Sequence, residues 1–384
     1  MNKRYDVVII GAGSVGVPAA YAISREGLKV AVIDELPSVG QGQNKRAIGG
    51  IRATHTTPAK IHLCQDSIKI ISNWEEKYET DIEWFQGGYV FVAFTEEHEK
   101  LMKENLLIQK AARLNINWVD RDKIIELVPG INQKGLRGGT YSPEDGNSSP
   151  LKTIHAIYKQ SVVQGTDYHF KETVVDIQTQ KHQANKVVTN KEEYETDFII
   201  NAAGAYAKKI GEMVGVDLPV FPDSHESGIS EPVEKFIAPL IVDMRPDEVS
   251  DNFYFYQNKE GKFILCLTPK PLIPGTNLNE TSVFLPNVAR RLIKLLPRTK
   301  NLKMRRTWRG LYPMTPDGSP IIGKINNLEG YINAVGMCGQ GFMLGTGIGE
   351  LLSRIVLDKT SQTDDTILKE LSFYRTFGKV ETLK

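Results

Sequence analysis

The sequence predicts an α/β fold in which one domain is assembled from separated stretches of chain, and a second, α+β domain carries a mostly antiparallel sheet. Three observations predict it. A glycine-rich turn, Gly11-Ala12-Gly13-Ser14-Val15-Gly16, joins a short apolar run to a helical pattern. Two later segments, residues 198–204 and 331–336, each read as a buried strand running into small residues. Between them, residues 217–285 are rich in aromatic and β-branched runs broken by Pro and Gly, as in an antiparallel sheet.

Residues 5–10 form a β-rich run, 18–25 a helix, and 29–33 a second apolar strand ending at Asp34, which together make one βαβ unit. Helical patterns follow over 59–80, with Ile61, Ile68, Ile71 and Trp74 on one face, and over the more polar 95–115; residues 87–92 read as a strand between them. The strands at 198–204 and 331–336 belong with the first unit, so the Rossmann-like domain is expected to comprise residues 1–80, 140–216 and 305–384. The substrate domain is then 81–139 and 217–304.

With 41% hydrophobic and 24% charged residues, the chain of 384 buries a sizeable core. Lys and Arg number 47 against 46 Asp and Glu, with no long block of one sign, which argues against a nucleic-acid or membrane-surface role and for a small-molecule ligand. Cys64, Cys266 and Cys338 lie far apart, so neither a zinc site nor an iron–sulfur cluster is expected from this chain, and a reducing, cytoplasmic compartment fits. The apolar stretch 7–23 contains Gly11, Gly13, Gly16 and Pro18 and reads as strand, turn and helix rather than a leader. No other stretch approaches the roughly 20 apolar residues of a membrane span.

The glycine turn matches GxGxxG, whose glycines allow a pyrophosphate to approach backbone amides at a helix start. Asp34, 23 residues beyond Gly11, is placed to accept a ribose hydroxyl and to disfavour a 2′-phosphate. The run from Gly40 to Arg52 then interrupts the strand–helix alternation that a nicotinamide enzyme would continue. Its glycines and its arginines, Arg46 and Arg52, suit the pyrophosphate and ring of FAD.

These residues resemble the D-amino-acid-oxidase-like family of flavoproteins, and within it the sarcosine oxidase β, L-proline dehydrogenase β and glycine oxidase group. Beyond the glycine turn and Asp34, the resemblance rests on Gly49-Gly50-Ile51-Arg52, on Asn201 to Ala207, on Thr315 to Gly323, and on Gly339-Gln340-Gly341-Phe342-Met343. It implies a two-domain fold with FAD extended across the first domain and a mixed sheet covering the flavin ring. The implied chemistry is hydride transfer from the carbon beside an amine to flavin N5. Expected cofactor contacts are Gly11, Gly13, Ser14, Val15, Gly16, Asp34, Glu35, Gly42, Gln43, Arg46, Gly49, Gly50 and Ile51. Val174, Ala203, Gly204, Gly310, Gly339, Gln340, Gly341, Phe342 and Met343 complete that set.

Four residues are candidates for the substrate site. Arg52 aligns with a family arginine beside the flavin, to polarise the ring or attract a substrate carboxylate; the alternative is a solvated surface arginine. His55 falls where sarcosine oxidases place a carboxylate-binding arginine, and reads equally as a pH-dependent anion contact or a polar residue at a helix approach. Met343 replaces the sarcosine oxidase lysine, which removes a carboxylate contact and tilts the resemblance toward the proline dehydrogenases; pocket lining and packing both stand. Tyr312 stands near the glycine oxidase substrate arginine, as a hydroxyl donor or a buried structural tyrosine.

Gly310 occupies the place of the cysteine that attaches flavin in monomeric sarcosine oxidases, so FAD is expected to be noncovalent. Leu265 is aligned with the lysine that activates oxygen in oxidases, which disfavours oxygen use. His225 enters the expected sheet over the flavin, where it either helps shape the pocket or, the favoured reading, is a strand-edge histidine without catalytic importance; Asp317 reads as a turn former rather than an acid catalyst. The glycines at 339, 341, 345, 347 and 349 read as a functional helix opening toward a flavin carbonyl.

The leading expectation is an FAD-dependent dehydrogenase for a small amino acid such as proline, hydroxyproline or sarcosine. It would act in a hetero- or homo-oligomer with flavin or iron–sulfur partner subunits as electron acceptors. An oxidase releasing peroxide from glycine or sarcosine is the alternative of the same family. A noncatalytic FAD-binding scaffold is the alternative of another class.

Overall fold

The computed structural model describes residues 3–378. β1 (Lys3–Ile10) leads through the glycine turn into α1 (Gly16–Ser24) and back along β2 (Val30–Asp34). After β3 (Gly50–Ile51), α2 (Pro58–Ser72) begins on a proline, whose missing N–H costs nothing in a first turn, and a short α3 (Trp74–Tyr78) follows. A first excursion contains β4 (Tyr89–Ala93), α4 (Glu96–Ala111), β5 (Asn117–Asp120), α5 (Arg121–Leu127) and β6 (Gly138–Ser142).

The chain returns through β7 (Gly146–Asn147), α6 (Pro150–Val163), β8 (Asp167–Phe170), β9 (Val174–Gln180), β10 (Gln183–Thr189) and β11 (Glu193–Asn201), then α7 (Ala207–Glu212). A second excursion holds β12 (Phe221–Pro232), β13 (Leu240–Asp243), β14 (Ser250–Gln257), β15 (Lys262–Pro269), α8 (Phe284–Leu295) and β16 (Met304–Met314). β17 (Ile321–Ile325), β18 (Leu328–Val335), α9 (Gly341–Val356) and α10 (Gln362–Glu370) follow.

Two eight-stranded sheets organise these elements. The first runs β17-β18-β10-β11-β1-β2-β8 with β9 on β10, and β18, β11, β1, β2 and β8 are parallel to one another. Val7, Val8 and Ile9 at its centre are fully buried, because helices cover one face and the 9–10 hairpin and α7 the other. The second sheet runs β16-β12-β15-β14-β13-β4-β6-β5 and is antiparallel except where β13 meets β4.

Sheet membership departs from the sequence reading at two places. Residues 304–314, whose greater part the sequence grouped with the first domain, form the outer strand β16 of the second sheet, paired along β12. Likewise residues 138–142 form β6 in that sheet, so the crossing falls later than 140. Both strands lie next to a crossing, where local pattern cannot say which sheet supplies the partner.

The α9 glycines have a packing role that the sequence reading missed. A Cβ at Gly345 would lie 1.8 Å from the Ser14 carbonyl oxygen, and one at Gly349 would lie 2.6 Å from the Pro18 carbonyl carbon, so both admit α1. Gly347 faces α2 instead, with a Cβ site 2.1 Å from the Leu63 carbonyl oxygen and its N–H donating to Ser67 Oγ at 2.8 Å. These three glycines let helices pack backbone to backbone; Gly339 and Gly341 lie on the wall of the cavity described next.

Candidate active site

A cavity of about 660 Å³ lies between the two sheets. One end is built by the β1–α1 turn, Asp34 at the end of β2, and Val174. The other is roofed by successive strands of the second sheet, which present Tyr89, Val242, Tyr254, Thr268, His225 and Tyr312. The glycine-rich loop from Gly42 to Arg52 and the segment from Met337 to Met343 connect the ends.

At the first end Gly11 has φ +110°, and a Cβ there would lie 2.5 Å from the Ala202 carbonyl oxygen, so only glycine makes this turn. Asp34 accepts from the amides of Ala12 at 2.6 Å and Leu36 at 2.8 Å. Burial raises the Asp34 carboxyl above its ordinary range, and these two amides only partly oppose it. The N-terminus of α1 has no side-chain cap, and neither has that of α9, so amides at both helix starts need partners and both starts reach the cavity. An extended, anionic dinucleotide satisfies both: the α1 start suits its pyrophosphate and the α9 start a ring carbonyl.

Of the expected cofactor contacts, Gly11, Gly13, Ser14, Val15, Asp34, Glu35, Gly42, Gln43, Arg46, Gly49 and Gly50 line the cavity. So do Val174, Ala203, Gly204, Gly310, Gly339, Gln340, Gly341, Phe342 and Met343. Gly16 and Ile51 do not. A Cβ at Gly16 would lie 1.8 Å from the Gly11 carbonyl oxygen, so this glycine closes the turn, while Ile51 is wholly buried in the core beneath the loop. Arg46 donates to the Arg309 carbonyl at 2.7 Å and Gln43 accepts from the Leu311 amide at 2.7 Å, which ties the loop to β16.

At the second end Arg52 is a buried residue, 5% exposed, rather than a solvated one. Its guanidinium donates to the Thr54 carbonyl and lies 5.4 Å from the Phe91 ring centroid. Asp145 is also buried in this region, accepting from the Ala53 amide and the Thr54 hydroxyl, each at 2.9 Å. Burial pushes its carboxyl up to about 6, against the pull of those donors and of Arg52. His55 does not reach the cavity wall. It is wholly buried, with Nδ1 3.4 Å from Arg52 Nη1 and Nε2 3.5 Å from Cys64 Sγ, so its place is behind the arginine.

Tyr312 lines the cavity with its hydroxyl 3.0 Å from that of Tyr254, and burial pushes both phenols well above their ordinary value. Met343 lines the cavity while packing against the first domain's core, so its two readings coexist. Asp317 does more than form a turn: it accepts from Ser319 N at 3.1 Å and holds the half-buried Arg375 at 2.7 Å.

Two assignments change. Leu265 points away from the cavity: it is buried with Phe253, Phe255 and Phe263 under α8, and the residues of β15 with the opposite parity, such as Thr268, face the roof. Of the β15 positions with that parity, Thr268 reaches the cavity wall, while Ile264 and Cys266 are buried beside it. His225 is not at a strand edge, because β12 is paired on both sides by β16 and β15. It lines the cavity, stacks on Tyr312 at 3.8 Å between ring centroids, and bonds Asp223 through Nε2 at 3.1 Å. The spacing Asp223-x-His225-x-Ser227 was the available signal: polar residues at period two inside a long strand.

The family described as DAO, FAD dependent oxidoreductase, matches residues 6–355. The chain belongs to this family. It is 24% identical to the hydrogen cyanide synthase subunit HcnC of Pseudomonas aeruginosa, over 95% of both chains. It is also 24% identical to a glycine oxidase of Bacillus licheniformis, over 95% of this chain and 96% of that one. Among solved structures, L-proline dehydrogenase from P. horikoshii superposes with a TM-score of 0.91 over 98% of each chain at 27% identity. The family is FAD-dependent, and the two uncapped helix starts on the cavity wall fit the pyrophosphate and ring carbonyl of that group. Among the described residues no helix is long and apolar enough to cross a membrane, and no group of three His, Cys, Asp or Glu is arranged for a metal ion.

Proposed function

We propose that the protein is a dehydrogenase that oxidises a small secondary amino acid, such as proline, hydroxyproline or sarcosine, and passes the electrons to a partner rather than to oxygen. The observation that carries this reading is the second end of the cavity, where the buried Arg52 faces a roof of Tyr89, Val242, Tyr254 and Tyr312. A guanidinium in such a wall binds a carboxylate strongly, and the aromatic rings suit the apolar body of a small amino acid. Bound FAD supplies the two-electron acceptor for the hydride. Tyr254 and Tyr312, kept protonated by burial, orient the substrate by hydrogen bonding.

Noncovalent binding of FAD is part of the proposal. Gly310 offers no nucleophile, and burial holds the thiol of the neighbouring Cys338 above its ordinary pKa, hence protonated and unreactive. Electron transfer to a partner is favoured because the residue that β15 places on the cavity wall is Thr268 and not a lysine. Met343 in place of a cation, and the likeness to a proline dehydrogenase, favour a secondary amine over glycine.

The test is an anaerobic titration of the flavin-loaded protein with L-proline, D-proline, hydroxyproline, sarcosine and glycine, followed at the flavin absorption band. The expected outcome is bleaching by one of the secondary amino acids. Bleaching by glycine alone, or by none, contradicts the reading.

A further inference from the structure

Oxidation beside an amine requires the nitrogen lone pair, yet a small amino acid arrives at neutral pH mostly as its ammonium ion. Something must take that proton before the hydride leaves. Arg52 cannot, since a guanidinium stays charged, and Tyr254 and Tyr312 are poor acceptors as neutral phenols. His225 has the required features. It is 5% exposed on the cavity wall, and its ring is fixed by stacking on Tyr312 with an interplanar angle of 23°.

Its protonation pattern follows from its partners. Burial pushes the Asp223 carboxyl up, but hydrogen bonds from His225 and from the amides of Ser224 and Ile273 oppose it, and the group is held below the usual range. An ionised carboxylate only accepts, so His225 Nε2 carries the hydrogen shared with Asp223. The lone pair of the neutral ring is then on Nδ1, a buried atom with no hydrogen-bond partner among the described residues. A buried acceptor without a partner is uncommon, and this one belongs to a ring that lines the cavity.

We propose that His225 Nδ1 is the base that receives the substrate's ammonium proton, a role that rests on the dehydrogenase reading above. The ammonium N–H bond breaks and an Nδ1–H bond forms, giving an imidazolium held by Asp223. The nitrogen lone pair so released is free to form the C=N bond when the hydride leaves with its electron pair, for which bound FAD would be the acceptor. The imidazolium then returns its proton to water. The titratable groups in contact with the ring are Asp223 on its own strand and Tyr312 on β16; Tyr254 on β14 and Cys266 on β15 meet the Tyr312 hydroxyl, Arg52 stands on the cavity wall, and Glu226 is engaged elsewhere, with Thr281 and Arg309.

The experiment is anaerobic stopped-flow reduction of the flavin-loaded protein at saturating substrate across pH 6 to 10, using whichever amine bleaches the wild type, for wild type, His225→Gln and Asp223→Asn. Binding of tetrahydro-2-furoate, a ring carboxylate without an amine, is measured alongside by its perturbation of the flavin spectrum. We expect His225→Gln to slow reduction about 100-fold or more at pH 7 and to lose the low-pH limb of the wild-type profile, with furoate affinity changed less than about threefold. Asp223→Asn should keep a limb but shift it to lower pH, since the imidazolium loses its counter-charge. A His225→Gln protein with the wild-type rate and limb overturns the proposal alone. Equal losses of reduction rate and furoate binding also overturn it, by making His225 structural. Absence of wild-type bleaching overturns the dehydrogenase reading and the proposal with it.

Discussion

Asp145 is buried behind Arg52, which stands on the cavity wall and whose positive charge favours the ionised carboxylate. Asp145 is pinned by Ala53 N and the Thr54 hydroxyl, and Arg52 by the Thr54 carbonyl. The short segment from Arg52 to Thr54 is thus anchored on Asp145 through Ala53 and Thr54, and the guanidinium is held in position before a substrate arrives. This arrangement orders the first two predictions.

Replacing Arg52 by Ala removes the proposed carboxylate contact. Flavin reduction should slow substantially and half-saturation should rise, for a combined loss of about 2–4 kcal/mol in transition-state stabilisation, while FAD is retained. The comparison of kcat/KM for the amino acid and for the amine lacking its carboxylate checks the assignment. Arg52→Ala should penalise the first far more than the second.

Asp145 makes stability depend on pH. Its folded pKa, about 6, is raised above the unfolded value near 3.9, so the folded state holds the proton more tightly. The associated stability is fully present below pH 4 and is lost as pH rises through 6. Relative to Asp145→Asn, which does not titrate, the wild type should therefore lose about 2–3 kcal/mol between pH 4 and pH 7. Urea unfolding of both proteins at several pH values measures this difference; a constant difference would contradict it.

The helix packing predicts a sharp steric limit. Gly345→Ala and Gly349→Ala place a Cβ against the α1 backbone, and each should destabilise by about 1–3 kcal/mol or more. Gly27 has nothing within 4 Å of its Cβ site, but its φ of +85° leaves a smaller, purely backbone cost for Gly27→Ala. Thermal unfolding midpoints should rank the three variants accordingly.

The paired hydroxyls of Tyr254 and Tyr312 predict coupling. If they orient substrate together, Tyr254→Phe and Tyr312→Phe should each reduce kcat/KM by about 0.5–1.5 kcal/mol, and the double variant should lose less than the sum. Strict additivity would mean that the pair acts independently.

Much of this site was legible in the sequence, and the boundary of what was legible has a physical form. The dinucleotide end depends on local chemistry, a glycine turn and an acid one strand later, so Gly11, Gly13, Asp34 and their neighbours were found where the structure has them. The roof depends on strand parity and pairing, which no local pattern fixes. A shift of one residue exchanges the faces of β15, and the sequence alignment chose Leu265 where the cavity sees Thr268. His225 read as a strand-edge residue, whereas β16, grouped by the sequence with the other domain, pairs along β12. Asp145 sits in Pro143-Glu144-Asp145-Gly146, a stretch that reads as an ordinary turn, and only the long-range approach of residues 53 and 54 makes it a buried acid.

The most direct test of the central claim is a single stopped-flow experiment on the flavin-loaded protein: anaerobic mixing with a secondary amino acid from the panel, then admission of air. The account predicts complete bleaching of the flavin band by the amino acid, followed by slow recovery in air and fast recovery with an artificial electron acceptor. Failure of every secondary amino acid to bleach the flavin, or immediate recovery in air with stoichiometric peroxide, would contradict it.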